Sequence, residues 1–281
     1  LETVHRLVTI DNPQNDDEIR FNERAMRFVQ VLRRVRDLEL TREDYYWLMT
    51  RKKAHFTLLE QAQFEDAPIL MEKRKETANA DDANCFRFNR MKLHALSARE
   101  KVRVASFVAT HDGTTEEIGM AMDESDFMGL ENSLEVCIGC PVLLTSNDAV
   151  SAGLMNGARG IVRQIVYRDE FGPNAGKGNQ MPEQINVEFP HYSGRPFWDA
   201  TVYPERKKWV PLFPRTVSSS NDRSISRKMY SLVLAYALTV WKAQGMTLDR
   251  VVVNICSKGG VPGLVFVALS SLEICTKISV N

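Results

Sequence analysis

A polar turn between two apolar runs is the part of this 281-residue chain best suited to bind a phosphate. The turn contains Lys242, Gln244, Gly245 and Thr247, which supply a cation, an amide, a permissive backbone position and a hydroxyl. In open α/β sheets, the loops at the carboxyl ends of strands bind ligands. The turn therefore has two interpretations: a site that holds a phosphate or a nucleic-acid backbone, and a solvated connection between two core strands.

The apolar runs on either side of this turn predict two buried strands. Leu232–Val240 and Val251–Ile255 are too short to be independent helices and are rich in β-branched residues. Ala67–Met71 is a further candidate of the same kind. Strands that are apolar on both faces are typical of the middle of a parallel sheet. The sequence therefore predicts an α/β domain that carries the polar turn at one edge of its sheet.

The first 55 residues are predicted to form a polar loop at residues 10–20 and two helices. The first helix carries apolar side chains at helical spacing on one face, namely Ala25, Phe28, Val29, Leu32 and Val35. The Thr41 to Asp44 segment resembles a capping box and predicts the start of the second helix. Arginines on the polar face of the first helix could contact a phosphate backbone, but a solvated face is the favoured interpretation.

Short strand candidates separated by turn-rich segments occupy the middle of the chain and suggest a small barrel. They are Val136–Asn147, Ile161–Tyr167, Ile185–Phe189 and Trp209–Phe213. Asn156-Gly157 is a strong hairpin signal. In the segment Arg206–Trp209, the aromatic Trp209 stands next to cations that include Lys207. Proteins bind single-stranded nucleic acid with this combination, because rings stack on bases and cations contact phosphates. A surface ridge on the barrel is the equal alternative for that segment.

The overall composition is that of an ordinary soluble protein without a strong electrostatic field. Its 36 basic and 36 acidic residues balance, so any contact with DNA must come from local patches. No apolar run approaches the roughly 20 residues of a membrane span, and the amino terminus does not resemble a signal peptide. We therefore expect no membrane partner and an intracellular protein. The missing initial methionine suggests a fragment.

Cys137 and Cys140 have the spacing of a redox or zinc pair. A structural zinc site needs four ligands, and the sequence offers no second closely spaced Cys/His pair. The odd total of five cysteines argues against a closed disulfide framework. A pair of buried thiols is therefore favoured over a metal or redox site, and no metal is expected.

Three segments resemble motifs of superfamily-one DNA helicases of the petite-integration-frequency (Pif) and RecD-like type, which Helitron transposons also carry. Ala235–Thr247 resembles the fifth motif, with Trp241 where the family has histidine. Gly263–Ser270 resembles the sixth motif, but Ser271 stands where the family has an arginine that reaches the γ-phosphate of ATP. A third segment resembles the signature of the SH3-like barrel in these enzymes through Asn147, Gly153, Leu154, Asn156, Gly157, Arg159 and Gly160.

The resemblance implies an α/β fold in which a RecA-like motor lobe with a parallel sheet is interrupted by an SH3-like small β-barrel. It divides the chain into a helical lead-in (1–55), the first part of the second RecA-like lobe (56–133), the barrel insertion (134–228) and the second part of the lobe (229–281).

The function implied by this resemblance is that of an ATP-dependent DNA helicase in DNA repair, recombination or telomere maintenance, present as its second motor lobe. Its partners would be single-stranded DNA and an N-terminal RecA-like lobe missing from the sequence, and its location the nucleus or mitochondrion. The family uses ATP and Mg²⁺, but neither is expected to bind this chain alone, because the sequence has no P-loop. The chain alone is thus expected to be inactive. The alternative is a non-catalytic nucleic-acid-binding relic of such a helicase or of a Helitron transposon.

Carried over by position, the family's site residues divide into three roles. Gln244 and Ser271 occupy catalytic positions, Ser271 as a degenerate arginine finger, while Lys242 and Gly245 would contact the nucleotide. The DNA-binding candidates are Thr239, Lys242, Asn156 and Gly157, to which the aromatic and cationic segment adds Lys207 and Trp209.

Overall fold

The computed structural model of the chain describes residues 10–65, 67–71, 84–168, 180–243, 250–254, 263–270 and 278–280. The helices in these ranges are α1 (Asp16–Arg36), α2 (Arg42–Met49), α3 (Leu58–Gln63), α4 (Cys85–Glu100), α5 (Glu116–Ala121), α6 (Val240–Ala243) and α7 (Leu264–Ser270). The strands are β1 (Ile69–Met71), β2 (Ala105–Val108), β3 (Thr110–Asp112), β4 (Ser133–Val136), β5 (Pro141–Leu144), β6 (Arg159–Val166), β7 (Gln184–Glu188), β8 (Trp209–Leu212), β9 (Arg215–Ser218), β10 (Ser226–Met229), β11 (Leu232–Leu234), β12 (Ala237–Thr239), β13 (Val251–Asn254) and β14 (Ile278–Val280). None of the described helices combines the length and the hydropathy needed to cross a membrane.

These elements form two compact units. The first unit comprises residues 1–88 and 236–281, and the second comprises residues 89–235. The four segments predicted from the sequence differ from this division mainly at residues 89–133, which the sequence assigned to the motor lobe and the structure groups with the middle of the chain. The insertion predicted to begin at residue 134 therefore lies inside a larger unit.

The first unit is built on a parallel four-stranded sheet in the order β12-β1-β13-β14. Leu70 on β1, Leu238 on β12 and Val251 on β13 are at most 3% exposed. Because these strands are buried on both faces, their sequences are continuous apolar runs rather than alternating patterns. The parallel sheet expected from Ala67–Met71 and Val251–Ile255 is confirmed.

The single strand predicted at Leu232–Val240 is wrong, because this run forms two strands in two different sheets. β11 pairs antiparallel with β5, and the Ala235 N–H continues that pairing by donating to the Pro141 carbonyl. The next carbonyl, that of Tyr236, accepts from the Ile69 N–H and begins the parallel pairing of β12 with β1. The chain therefore passes from one sheet to the other between Ala235 and Tyr236. The apolar run continues across this point without interruption.

The helical lead-in begins earlier than predicted, since α1 starts at Asp16 within the expected loop. The Asn15 side chain caps this helix by accepting from the Glu18 N–H at 2.9 Å, and three acidic residues follow in the first turn, where they favour the helix dipole. The buried face agrees with the predicted one except that Val31 is fully buried, whereas Val29 and Val35 are half-buried. The capping box at Thr41 is confirmed.

Two arginines of α1 bind Asp44 of α2, so for them the solvated interpretation is wrong. Arg34 donates to both carboxylate oxygens of Asp44 at 2.6 and 2.7 Å, and Arg27 lies 3.0 Å from the same carboxylate. Thr41 donates to it through its backbone and hydroxyl. The Arg34 hydrogen bonds are the main reason that the pKa of the fully buried Asp44 is lowered from 3.8 to about 2. This carboxylate fastens α2 to α1.

The second unit is built from antiparallel sheets. The largest has the order β11-β5-β6-β7-β8, and two smaller sheets pair β3-β10-β9 and β2-β4. Pro211 lies on β8 at the edge of the largest sheet, where its missing N–H interrupts no further ladder. Within the described ranges, no strand pairing joins the edge strands β8 and β11 to each other. The SH3-like barrel therefore stays a prediction.

The strand predicted at Val136–Asn147 is also divided between two sheets. β4 pairs with β2, and β5 pairs with β6 and β11. The break is a turn in which Gly139 has φ +88° and the Cys140 N–H donates to the Cys137 carbonyl at 3.1 Å. The glycine supplies a left-handed conformation that other residues rarely adopt, and this explains why the run cannot continue as one strand.

Arg227 on β10 organises the second unit from the inside. Its guanidinium is fully buried and donates to His111 Nε2 at 2.9 Å and to three carbonyl oxygens, those of Leu130, Gly119 and Met122, at 2.8 to 3.0 Å. The guanidinium also lies 4.1 Å from the centre of the Phe127 ring. An arginine has no acceptor atom, so His111 accepts at Nε2 and uses Nδ1–H towards Glu116 at 3.1 Å. Burial lowers the pKa of this guanidinium, and the nearby carboxylates of Glu124, Glu131, Asp123 and Asp126 oppose that shift through their charge.

Candidate nucleic-acid interface

The polar turn begins at the carboxyl end of β12 as the sequence predicts. Thr239 is the last residue of the strand, and its hydroxyl oxygen accepts from the Lys242 N–H at 3.3 Å in the first turn of α6. Val240 and Ala243 are buried, whereas Trp241 and Lys242 are exposed. The short helix thus buries its apolar residues and presents a cation and an aromatic ring outside the edge of the sheet.

The strand register adds a polar residue that the motif analysis did not single out. Thr239 lies opposite Met71 of β1, and Met71 lies opposite Asn254 of β13. The three residues therefore lie side by side across the sheet, with the half-buried Asn254 and the Thr239 hydroxyl on either side of Met71. The only signal in the sequence was a polar residue at the end of the run Val251–Asn254.

Several predicted site residues lie outside the described part of the chain. They are Gln244, Gly245 and Ser271, so their predicted roles stay predictions. The segment that resembles the sixth motif forms α7, in which Ala268 and Leu269 are buried. This helix lies next to α6 in the first unit.

Asn156 and Gly157 belong to the connection between β5 and β6, which is longer than the tight hairpin that the dipeptide suggested. The Ala158 N–H donates to the Met155 carbonyl at 2.9 Å across a turn in which Gly157 has φ +94°. The Asn156 N–H donates to the side-chain oxygen of Asn147 at 2.9 Å. The turn leaves the Asn156 side chain exposed.

The other glycines of this segment are required by close contacts. A Cβ on Gly153, which has φ +85°, would lie 2.7 Å from the His191 carbonyl oxygen. A Cβ on Gly160 would lie 2.4 Å from a Val187 methyl group. Leu154 is 5% exposed and anchors the connection in the core. The residue pattern that resembles the barrel signature is thus explained mainly by the packing of this connection.

Lys207 and Trp209 lie at the end of the connection between β7 and β8. Lys207 is exposed, and Trp209 is half-buried at the first position of β8. The Arg206 guanidinium lies over both Trp209 and Tyr203, at 5.1 and 4.5 Å from the ring centres. The predicted combination of an aromatic ring with cations is present in the structure, but it includes more rings than the sequence analysis named.

Of the predicted site residues, the structure brings Thr239 and Lys242 together in the first unit. Asn156, Gly157, Lys207 and Trp209 belong to the second unit. Those four lie in two connections that meet each other, since the Ser193 N–H of the β7–β8 connection donates to the Ala152 carbonyl of the β5–β6 connection at 3.0 Å.

Cys137 and Cys140 are two buried thiols joined by a hydrogen bond. That bond lowers the pKa of Cys137, whereas burial raises the pKa of Cys140 well above its usual range. Among the residues that the structure describes, no group of three or more His, Cys, Asp or Glu side chains could hold a metal ion. The geometry is that of the buried pair favoured from the sequence.

The curated proteins similar to this chain are Pif1 helicases, although no protein-family model matches it. The chain is 31% identical over 137 residues to the human ATP-dependent DNA helicase PIF1 and 32% identical over 137 residues to the Danio rerio protein of the same name. Each similarity covers 49% of this chain but 17% of the relative. The chain therefore matches only a small part of these proteins.

Solved Pif1 structures resemble nearly the whole chain in fold. The Candida albicans Pif1 helicase has a TM-score of 0.62 at 21% identity, over 93% of this chain and 54% of that protein. The Bacteroides Pif1 helicase in complex with ADP-AlF3 and ssDNA has a TM-score of 0.57 at 19% identity, over 91% of this chain and 48% of that one. At these identities the likeness shows the fold, and about half of each solved chain has no counterpart here.

The sequence similarity and the fold similarity point to the same group of proteins. The chain therefore contains a region similar to Pif1 helicases and has a RecA-like fold.

Proposed function

We propose that this chain supplies the second motor lobe of an ATP-dependent DNA helicase. The observation that carries the proposal is the alignment of Thr239, Met71 and Asn254 on neighbouring parallel strands, with Lys242 exposed in the short helix that follows Thr239. Ligands bind at the carboxyl edge of open α/β sheets, and the segment there resembles the fifth helicase motif. The N-terminal lobe with its P-loop would complete the ATP site.

In this proposal each residue of the turn has a separate task. Lys242 and Gly245 contact the nucleotide, and Gln244 orients groups at the γ-phosphate, where charge must be stabilised during phosphoryl transfer. Thr239 and Lys242 also contact the DNA backbone, which couples the state of the nucleotide to the grip on the strand. ATP and Mg²⁺ would bind between the two lobes, so this chain alone would hydrolyse no ATP.

The test is an ATPase assay on a two-lobe protein in which a P-loop lobe precedes this chain. We expect single-stranded DNA to stimulate ATP hydrolysis, and Lys242→Ala to reduce the stimulated rate by roughly 10- to 100-fold if the lysine stabilises transferred charge. Lys228→Ala, at an exposed lysine of β10, is the matched control and should leave the rate unchanged. A two-lobe protein that folds and binds nucleotide but shows no stimulation by DNA would contradict the proposal.

The biological setting that we propose follows the family resemblance. A helicase of this type would act in DNA repair, recombination or telomere maintenance, in the nucleus or the mitochondrion. These roles require unwinding rather than DNA binding alone. A strand-displacement assay with the same two-lobe protein therefore tests whether it unwinds DNA, which all of these roles require.

A second candidate function is that of a nucleic-acid-binding relic without catalysis. It is favoured by Ser271, which stands where the family has its arginine finger, and by Leu264 in place of the family glutamine. A guanidinium at such a position is worth about 10³- to 10⁵-fold in rate in phosphoryl-transfer enzymes. Ser271→Arg in the two-lobe protein separates the candidates. Recovered hydrolysis indicates a helicase with a local defect, and an inactive protein that still binds single-stranded DNA indicates the relic.

A further inference from the structure

The connection between β7 and β8, residues 189–209, has an unusual composition and is called the aromatic loop below. Six of its 21 residues are aromatic, namely Phe189, Tyr192, Phe197, Trp198, Tyr203 and Trp209. Four cations (Arg195, Arg206, Lys207 and Lys208) stand against two anions (Asp199 and Glu205), in a chain whose total charge is zero. The loop therefore has both aromatic rings and an excess of positive charge, the two features with which proteins bind single-stranded nucleic acid.

The rings of the aromatic loop form one continuous row. Tyr192 stacks on Phe197 with 6.1 Å between ring centres and 24° between planes. Phe197 meets Trp198 edge-on at 6.4 Å, and Trp198 meets Trp209 edge-on at 6.1 Å. The row ends where the Arg206 guanidinium lies over Trp209. The row thus places four rings next to one another, with one stacked and two edge-on contacts.

The backbone of the aromatic loop is held at several points. The Phe189 N–H donates to the Lys208 carbonyl at 3.0 Å and closes the base of the loop. The Ser193 N–H donates to the Ala152 carbonyl at 3.0 Å, beside the place where Gly153 lets the His191 carbonyl approach. Long surface loops are often packed by their own side chains, and these bonds fix the rings in position before any ligand binds.

The acidic residues of the loop are engaged in local contacts. Asp199 accepts from the Thr201 hydroxyl at 2.6 Å and from the Thr201 N–H at 2.8 Å, and these bonds lower its pKa. Glu205 lies 3.4 Å from Arg206. Asp199 thus organises the turn that precedes Tyr203.

The row of rings is only partly buried, which separates it from an ordinary small core. Phe197 is 55% exposed, and Trp198 and Trp209 are half-buried. Tyr203, which lies beside the row and under the Arg206 guanidinium, is 40% exposed. A loop that packed its rings only for stability would turn their faces inwards, since exposed aromatic area gains nothing from the hydrophobic effect. The exposed part of the Phe197 ring is therefore accessible to a flat ligand.

We propose that the aromatic loop is a stacking platform for the unpaired bases of single-stranded DNA, with Phe197 and Tyr203 as the stacking faces and Lys207 beside them as a phosphate contact. The proposal deepens the proposed function, on which the identity of the strand rests. A base stacks on an aromatic face whatever its sequence, and the surplus of cations suits a polyanion rather than an apolar protein partner. The platform would hold the strand without reading its sequence.

The experiment compares two exposed phenylalanines of the second unit in the complete chain. Phe197→Leu keeps an apolar side chain but removes the ring, and Phe213→Leu makes the same change at a phenylalanine outside the loop that is 57% exposed. Binding is measured by fluorescence anisotropy with a labelled oligothymidylate and with an abasic strand of the same length. We expect Phe197→Leu to weaken binding to oligothymidylate by roughly 5- to 20-fold and Phe213→Leu to leave it unchanged.

The abasic strand separates stacking from charge. Phe197→Leu should not change the affinity for it, because it has phosphates but no bases, whereas Lys207→Gln should weaken both strands by a similar factor of roughly 2 to 5. Thermal unfolding of each variant establishes that it folds, and both phenylalanines are exposed enough for the substitutions to be tolerated. Equal effects of the two phenylalanine variants, or equal losses on both strands for Phe197→Leu, would overturn the proposal.

Failure of this proposal is distinguishable from failure of the proposed function. The binding assay uses neither ATP nor a second lobe, so the platform would be supported even if the two-lobe protein hydrolysed no ATP. Conversely, DNA-stimulated hydrolysis together with unchanged binding by Phe197→Leu would leave the helicase in place and remove the platform. If the complete chain binds neither strand but binds a protein through the loop, the nucleic-acid occupant is wrong.

Discussion

The two units of the chain present their candidate DNA contacts in opposite ways. In the first unit, Thr239 ends a buried parallel strand and Lys242 lies in the short helix that follows it. In the second unit, Phe197 and Tyr203 lie in a long loop that is positioned by hydrogen bonds to another loop. The first arrangement suits a switch that follows the nucleotide, and the second suits a constant grip. Resemblance to known motifs identified the turn, but it did not identify the rings of the loop beyond Trp209.

The units also differ in how they hold a buried charge. Asp44 in the first unit is an anion held by two arginines that are about one-third exposed. Arg227 in the second unit is a cation that donates to carbonyl oxygens and an imidazole nitrogen, lies over a ring, and is acted on by the charge of carboxylates such as Glu124. The first charge is lost when Asp44 is protonated in acid, whereas an arginine keeps its own charge in a protein.

The largest effect is expected for Arg227→Met. Removing the guanidinium takes a donor from four acceptors, of which the Gly119 carbonyl still accepts from the Met122 N–H. Removing one side of a buried polar cluster costs about 3–5 kcal/mol. Two of the four tryptophans, Trp198 and Trp209, lie in the second unit. Urea unfolding followed by their fluorescence, with Trp47 and Trp241 replaced by phenylalanine, reports on this unit.

The control for Arg227→Met is Lys228→Met, which makes the same kind of change at the next residue of β10, where the side chain is exposed. It should change the free energy of unfolding by less than about 0.5 kcal/mol. If the two variants have equal stability, Arg227 does not hold the second unit together in the way described.

A smaller effect is expected for Asp44→Asn. The substitution removes the charge that fastens α2 to α1, and because the arginines are partly solvated the cost should be about 2 kcal/mol. Fluorescence of Trp47, whose ring lies 6.5 Å from that of Phe28, reports on this contact. Glu43→Gln, at the exposed neighbouring position, is the matched control and should be nearly neutral.

The same carboxylate predicts a pH dependence. The pKa of Asp44 is about 2 in the folded protein and 3.8 ordinarily, so its contribution is present above pH 3.8 and is lost as the pH falls towards 2. The stability difference between the wild type and Asp44→Asn should therefore be constant near neutral pH and shrink through that window. A difference that stays constant down to pH 2 would show that the charge is not what stabilises the contact.

The smallest effect is expected for Gly153→Ala, which tests how the aromatic loop is held. The new methyl group would lie 2.7 Å from the His191 carbonyl oxygen at a positive φ, and we expect a loss of about 1–2 kcal/mol together with weaker binding of single-stranded DNA. Gly129→Ala is the control, because Gly129 also has positive φ but has no atom within 4 Å of the added Cβ. DNA binding that falls equally in both variants would mean that the contact with His191 does not position the loop.

Local patterns in the sequence predicted the elements whose formation depends on neighbouring residues. The capping box at Thr41 and the apolar run Val251–Asn254 form the helix start and the buried strand that their residues favour. The cap at Asn15 followed the same chemistry and could have been found in the same way. Lys242 follows a buried strand as the sequence predicted, because strand ends and their polar residues are also local features, whereas the predicted turn from Gln244 onwards lies outside the described residues.

Local patterns did not predict which strands pair with each other or which charged side chains form ion pairs. The run from Leu232 to Val240 is equally apolar throughout, and nothing in it marks Ala235 and Tyr236 as the point where one sheet is exchanged for another. Arg27 and Arg34 have the spacing of a solvated helical face, yet a single carboxylate ten residues beyond Arg34 buries one side of that face. Each outcome depends on residues that are distant along the chain.

The sequence by itself therefore determined the kinds of elements, the polar turn and the resemblance to Pif-type helicases, because propensity, capping and motif spacing act over a few residues. Only the tertiary structure decided which sheet each strand joins, that Arg227 is buried, and that Tyr192, Phe197, Trp198 and Trp209 form one row. The physical reason is that burial and ring contacts are set by the free energy of packing segments far apart in the chain, and no local pattern records that energy.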